Sequence, residues 1–234
     1  GLYGVGNAVV NAAGALKRRI LEEAARQLDV KVDKLDINDR NIQIKGKKEP
    51  TLSLQRLAND AIWKGSEANR SLAVLEHFSP TANPNPFGAV FTDVAVDTET
   101  GEVKIEKLVL SHDIGRAINP MTVEGQLEGG ISMGVGYAMF EDAAIDPTTG
   151  VNRGDNFNNY KIPSTLDMPE MEVLLYEEPA PSGPFGGKGV GMCGVMGIAP
   201  AVANAVYDAV GVRVHEMPLT PERLLAALKM KSAK

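Results

Sequence analysis

Nine consecutive residues near the C-terminal end, Gly186-Gly-Lys-Gly-Val-Gly-Met-Cys-Gly194, include five glycines. Glycine lacks Cβ, so this stretch can adopt positive φ and lie close against another surface. It is a poor helix by propensity and a poor strand. Ordering so bare a backbone costs conformational entropy, and a compact fold keeps such a loop where it serves a contact. The segment therefore reads as a loop closing over a bound anionic group.

The familiar nucleotide loops do not account for it. Gly189-Val-Gly191-Met-Cys-Gly194 has the G-x-G-x-x-G spacing, and Asp208 lies downstream at a suitable distance. That fingerprint requires a strand running directly into the glycines. Here the preceding strand pattern ends near Tyr176, and Glu177–Pro184 intervenes. Lys188 is followed by Gly189 rather than Ser or Thr, so no phosphate-binding P-loop is formed; Lys188 could equally face the bound group or be a solvated loop charge.

The 234 residues are 44% hydrophobic and 23% charged, enough to bury a sizeable core. A net charge of -6 without a dense basic face argues against a nucleic-acid or anionic-membrane partner. Lys45-Gly-Lys-Lys48 reads as a solvated turn. Cys193 is the single cysteine, which excludes an intramolecular disulfide and fits a reducing, cytoplasmic compartment. No apolar run is expected to approach the roughly 18 residues of a membrane span. No secretory signal pattern is present, and the opening Gly-Leu-Tyr-Gly leads at once into helical periodicity, as expected of a fragment or subunit.

Val9, Ala12, Ala13, Leu16, Ile20, Ala24 and Leu28 predict an amphipathic helix from about Ala8, with Gly6-Asn7 as its cap. A cap of this kind exposes backbone N–H groups and is also a candidate anion site. Leu35–Ile37 and Ile42–Ile44 predict a hairpin, Ser53–Trp63 a helix and Leu72–Phe78 a strand. Three prolines between Ser79 and Pro86 mark a connection. The expected division is an N-terminal α+β subdomain, 1–86, and a C-terminal α+β subdomain, 87–234, carrying the glycine-rich segments.

Beyond the connection, Gly88–Val96 and Glu102–Ser111 predict a longer hairpin, with Glu170–Tyr176 a further strand. Pro200–Val210 and Pro221–Lys229 predict helices, the first closed by Gly211 and the second capped by Thr220. Val123–Phe140 is apolar but carries glycine at 125, 129, 130, 134 and 136; as a helix it requires close approach of a backbone or ligand. The fold class is α+β, mixed sheets with packed helices. His77, His112 and His215 lack metal-site spacing, so no protein metal ligands are assigned, and His112-Asp113 reads as a structural pair at a strand end.

Several segments, in order and at compatible spacing, resemble the molybdopterin-binding large subunit of the xanthine dehydrogenase/aldehyde oxidase family of molybdenum hydroxylases. They are Ser111-His-Asp-Ile-Gly-Arg-Ala-Ile-Asn-Pro120, Glu124-Gly-Gln-Leu-Glu-Gly-Gly130, Tyr160-Lys-Ile-Pro163 with Asp167-Met-Pro169, Lys188-Gly-Val-Gly191 and Ala199-Pro-Ala-Val-Ala-Asn-Ala-Val-Tyr-Asp208. The resemblance covers only the C-terminal part of that subunit. It implies a molybdenum–pterin cofactor, molybdopterin or its dinucleotide form, whose own sulfurs hold the metal. Gln126 would hydrogen-bond the pterin, Gly4, Gly6, Asn7 and Ala8 would face its phosphate, and Gly189, Val190 and Gly191 would lie beside molybdenum. The reaction implied is hydroxylation of an aldehyde or N-heterocycle with oxygen from water. The partners implied are the N-terminal large-subunit portion and iron–sulfur and flavin subunits or domains.

One position departs from the pattern. The resemblance implies a glutamate base directly after Gly-Val-Gly, where this chain has Met192. A carboxylate accepts a proton at neutral pH and a thioether does not. Cys193 and Gly194 also stand where the family commonly has prolines. The alternative function is a non-catalytic cofactor-site relative or assembly scaffold.

Overall fold

Leu2–Leu28 forms a single helix, α1, in the computed structural model, which describes residues 1–47, 49–63, 72–80 and 82–232. The helix begins at Leu2, a little over one turn before the expected cap at Gly6-Asn7. Gly6 and Asn7 lie inside it, and the Asn7 amide donates back to the Tyr3 carbonyl at 3.0 Å. Tyr3 in turn meets Phe78 edge-on, ring centroids 5.5 Å apart. That contact supplies what local propensity withholds from the glycine-bearing first turns. At the other end Asp29 takes the left-handed conformation, φ 52°, and its N–H closes on the Ala25 carbonyl.

α1 buries Leu21, Ala24 and Ala25 against Leu35, Ile42 and Leu57. Leu35 and Ile42 belong to β1, Leu35–Asn38, and β2, Asn41–Ile44; a short β3, Leu52–Ser53, pairs with β2. Asn38 faces Asn41 in the register, so the turn is only Asp39-Arg40, both at positive φ. The two residues of β3 were too few to read from periodicity. Ser53 Oγ accepts the Arg56 N–H at 3.2 Å and caps α2, Leu54–Trp63.

Residues 72–80 form no strand, contrary to expectation. Their carbonyls are taken by side chains of α1 instead: Arg19 donates to Ala73 at 2.9 Å and Asn11 to His77 at 3.4 Å. An extended segment becomes a strand only when a neighbouring backbone pairs with it. Lys48 of the expected basic turn lies outside the described residues.

The chain separates into two compact units, residues 3–81 and 82–234, with Gly1 counted in the first and Leu2 in the second. In the second, β4, Gly88–Val96, and β5, Val103–Asp113, form an antiparallel hairpin with a bulge at Asp93/Val94. Its turn is held by the Asp97 carboxylate, which accepts the N–H groups of Glu99 and Thr100. After β5 the chain enters α3, Pro120–Met139, capped by the Asn119 side chain, which accepts from Thr122 N–H. It returns as β6, Glu170–Tyr176, parallel to β5, giving the sheet order β4-β5-β6.

A one-turn helix, α4, Cys193–Met196, leads into α5, Ile198–Val210, which ends at Gly211 in the left-handed conformation. α6, Pro221–Ser232, follows Thr220, whose hydroxyl accepts the Arg223 N–H. Leu108 and Leu110 of β5, Leu127, Ile131 and Val135 of α3, and Ile198, Val202 and Val206 of α5 share one buried core. The fold is α+β, with helices packed on a mixed sheet. Cys193–Val210 is, against expectation, long and apolar enough on average to match a membrane span. It is broken at Gly197, however, and its Ile198, Val202 and Val206 are buried in this core.

Candidate functional site

The glycine-rich stretch is two structures joined at Lys188, and both belong to the second unit. Its first half is welded to the end of β5. There Ile114 N–H donates to the Tyr176 carbonyl, extending the β5–β6 pairing by one residue. Gly115 then turns at φ +69°, where its N–H returns to the Asp113 carboxylate at 2.9 Å. A Cβ at Gly115 would stand 2.3 Å from the Gly186 carbonyl, so the two glycine segments touch backbone to backbone. Lys188 N–H donates to the Ile114 carbonyl at 2.9 Å.

Lys188 is not a solvated loop charge. Its ammonium forms a buried ion pair with Asp113, the residues being 7% and 5% exposed. Burial pushes the Asp113 carboxyl up, but the Lys188 ammonium and the Gly115 N–H outweigh it and hold it below its usual value. The Asp113 carboxyl is therefore ionised at neutral pH, and its ion pair with Lys188 fastens the loop to the strand end. The signal available in the sequence was a lysine flanked by glycines with no nearby counter-charge, which needs a partner from elsewhere. Spacing could not say that the partner lies 75 residues earlier.

His112, next to Asp113, is 2% exposed, and neither ring nitrogen has a hydrogen-bond partner in the structure. Burial lowers its pKa, against the opposing pull of the Asp113 carboxylate and the Phe87 carbonyl. That carbonyl favours the proton electrostatically but lies outside hydrogen-bond geometry.

The second half of the stretch is open. A Cβ at Gly189 or Gly191 would meet nothing within 4 Å. Gln126, on α3, reaches this half: its Nε2 donates to the Gly191 carbonyl at 3.2 Å. Its own amide oxygen takes no hydrogen bond among the described residues. Gly125 and Gly129, on either side of Gln126, are likewise open to 4 Å. Gly130 and Gly134 of the same helix are the reverse case, their Cβ positions lying 2.8 Å from Gly194 Cα and 2.5 Å from Ile198 Cβ. The glycines of α3 thus divide into a packed face, which draws α4 and α5 close, and an open face beside Gln126.

Gln126, Gly189, Val190 and Gly191 therefore come together as one surface. Val190 is half-buried against the core, which holds the backbone between the two open glycines. Met192 follows at the start of α4 and is 65% exposed. Gly4, Gly6, Asn7 and Ala8 lie in the first two turns of α1, in the other unit. By helical pairing the N–H groups of Gly6, Asn7 and Ala8 are spent inside the helix, and only that of Gly4 falls in the unpaired first turn.

Residues 1–169 match the family model of the molybdopterin cofactor-binding domain. This chain belongs to that family. The chain is 36% identical over 223 residues to the putative xanthine dehydrogenase molybdenum-binding subunit XdhA of Escherichia coli (strain K12), covering 95% of this chain and 30% of that protein. It is 37% identical over 143 residues to the aldehyde oxidoreductase molybdenum-binding subunit PaoC of the same organism, covering 61% of this chain and 20% of that protein. Among solved structures it matches quinoline 2-oxidoreductase from Pseudomonas putida 86 with a TM-score of 0.82 at 25% identity, over 94% of this chain and 29% of that one. The molybdopterin-binding segment described here thus spans less than a third of the length of these relatives.

Proposed function

We propose that the enzyme containing this segment hydroxylates an aldehyde or an N-heterocycle, taking the oxygen from water, and that the Gln126–Gly191 surface is its contact with the pterin. The observation that carries the reading is the hydrogen bond from Gln126 to Gly191. It joins the helix and the glycine loop into a single donor–acceptor edge. Four glycines around it, 125, 129, 189 and 191, present backbone that no protein atom fills. Bare peptide can approach a planar heterocycle more closely than any side-chain-bearing residue allows. The unused amide oxygen of Gln126 adds an acceptor for the heterocycle's N–H groups. The residues present therefore fit a pterin.

When bound, the molybdenum–pterin group supplies the two-electron redox chemistry. This chain's residues bind and orient it. Asp113 and Lys188 hold the loop at one end, Gln126 at the other, and Val190 anchors its middle. Hydroxylation of R–H by water releases two protons and two electrons. Met192, exposed at the loop's end, cannot take a proton, so the proton acceptor comes from the remainder of the assembly. The electrons leave through iron–sulfur and flavin groups on partner subunits or domains. The names of the relatives, molybdenum-binding subunits of xanthine and aldehyde enzymes, support this substrate range and a multi-subunit assembly. A reducing, cytoplasmic setting fits the free thiol of Cys193.

The test is metal and pterin analysis of the complete assembly, followed by turnover with a panel of aldehydes and N-heterocycles. Stoichiometric molybdenum and pterin, with turnover of a member of the panel, is the expected result. A stable assembly free of molybdenum would refute it and identify a scaffold. Met192→Glu, at an exposed position, should leave folding unchanged and raise turnover if proton acceptance limits the reaction.

A further inference from the structure

The β4-β5-β6 sheet has one covered face and one open face. Val90, Leu110 and Val173 form one row of the register and point into the core shared with α3 and α5. Successive residues of a strand point to opposite sides, so the rows on either side of this one face away from the core. Phe91 pairs with Val109; Ala89 pairs with Ser111, which pairs in turn with Leu174. Phe87 extends the ladder by accepting the Asp113 N–H, and Asp113 pairs with Tyr176.

A sheet face left to water normally carries polar residues. Here Phe87 is 72% exposed, Phe91 67%, Tyr176 59% and Leu174 46%. At about 150–250 Å² per aromatic side chain, the three rings alone leave roughly 400 Å² of apolar surface open. A contiguous patch of that order marks an interaction site more often than chance exposure. A cavity of about 390 Å³ opens within it, lined by Phe87, Ala89, Tyr176 and Glu178, with Ser111 and the buried Asp113–Lys188 pair. β6 is also an edge strand among the described residues. Its first half carries Glu170 and Glu172, charges that discourage pairing, whereas Leu174–Tyr176 carries none.

The surround of the patch is acidic. Asp93, Lys107 and Glu170 form a charged row, and Lys107 reaches Glu170 at 3.0 Å and Glu172 at 3.1 Å. Glu178 borders the cavity at the opposite end. Lys107 is thus shared between two carboxylates, and Lys188 is spent on Asp113. An apolar centre with a charged rim is the anatomy of a protein interface, and this rim selects a basic occupant. More than two thirds of the length of the relatives' molybdenum-binding subunits lies beyond what this chain spans.

We propose that the apolar end of this sheet face docks the remainder of the molybdenum-binding subunit, through a segment of aliphatic or aromatic residues flanked by Lys or Arg. The proposal rests on the reading of the chain as part of a larger enzyme, and it adds where on the chain the remainder binds.

Hydroxyl-radical footprinting read by mass spectrometry tests it, because side-chain oxidation follows exposure. The unaltered chain alone is compared with the complete molybdenum-binding subunit and with the whole assembly, so the test does not depend on the folding of a variant. Phe91, Leu174 and Tyr176 should react at least about fivefold more slowly in the complete subunit than in the chain, with no further loss in the assembly. Equal rates in the chain and the subunit would overturn the proposal. Slowing that appears only with the iron–sulfur or flavin subunits would overturn it in favour of those partners. Slowing in the chain alone that grows with its concentration would do the same, with a second copy as the occupant. Glu178→Lys, at an exposed position, should leave the circular dichroism of the chain unchanged and restore at least about half of the Tyr176 rate in the complete subunit. An unchanged rate would refute the basic flank. No readout requires molybdenum: a metal-free assembly with this face covered would sink the hydroxylase reading and keep the docking face.

Discussion

Replacing the α3 glycines with alanine, one at a time, separates backbone left bare for a ligand from backbone left bare for packing. At Gly125 and Gly129 an added methyl meets nothing within 4 Å. Alanine there gains the helix propensity that glycine forfeits, about 0.8–1.0 kcal/mol per site. In a protein of this size that is a rise in Tm of roughly 2–4 °C each. At Gly134 the same methyl would lie 2.5 Å from Ile198 Cβ, about 0.9 Å short of the ordinary contact distance of 3.4 Å. Ile198 is fully buried and β-branched, so it cannot swing aside. Overpacking of this kind costs roughly 1–3 kcal/mol, and with no rotamer available the upper half of that range applies. After the propensity gain, Gly134→Ala should be less stable by about 1–2 kcal/mol. Gly130→Ala should behave similarly, because the obstacle is the Gly194 backbone at 2.8 Å. Thermal and urea unfolding of the full chain, followed by circular dichroism, measures all four. In the loaded assembly the open-face pair should reverse its benefit, with Gly129→Ala lowering pterin content although the protein is more stable. The reasoning fails if Gly125→Ala and Gly129→Ala destabilise the chain, or if Gly134→Ala is neutral.

Lys188→Met keeps the aliphatic stem but leaves the Asp113 carboxylate buried without its partner. Breaking such a pair costs about 3–5 kcal/mol, and adding Asp113→Asn should recover most of it. Urea unfolding of the two single variants and the double variant tests this; additive losses would mean that the pair does not couple. The Asp97 carboxyl is held below its usual value by the N–H groups of Glu99 and Thr100. Its contribution to the hairpin turn is complete above the unfolded carboxylate value and disappears as pH falls through the lower folded value. Asp97→Ala should remove that acid-dependent part, read as loss of the Glu99 and Thr100 amide shifts that otherwise appear as pH falls below the ordinary carboxylate range in NMR titrations.

The second unit was largely legible because its elements carry their own local instructions. β4 and β6 have the lengths their alternation predicts. α6 starts where Thr220 and Pro221 announce it, and α5 stops at Gly211. The first unit was less so. α1 starts early because Asn7 binds the Tyr3 carbonyl one turn back and Tyr3 packs on Phe78, and the second contact depends on the folded chain. Residues 72–80 have strand-like composition, but Arg19 and Asn11 of α1 occupy their carbonyls.

For the candidate site, the family resemblance carried by short motifs in order was enough to name the cofactor class, and it proposed Gln126 and Gly189–Gly191, which the fold brings to one surface. Such motifs are one-dimensional properties, and a bare loop or a glycine-bearing helix is visible residue by residue. What each glycine is bare for was decided only in three dimensions. Gly125 and Gly129 face open space, whereas Gly130 and Gly134 meet α4 and α5, and this depends on which side of α3 the later helices occupy. The pairing of Lys188 with Asp113 was decided there too. A charge in a sequence has no address, and only the fold, by withdrawing water from both groups at once, makes each the other's required partner.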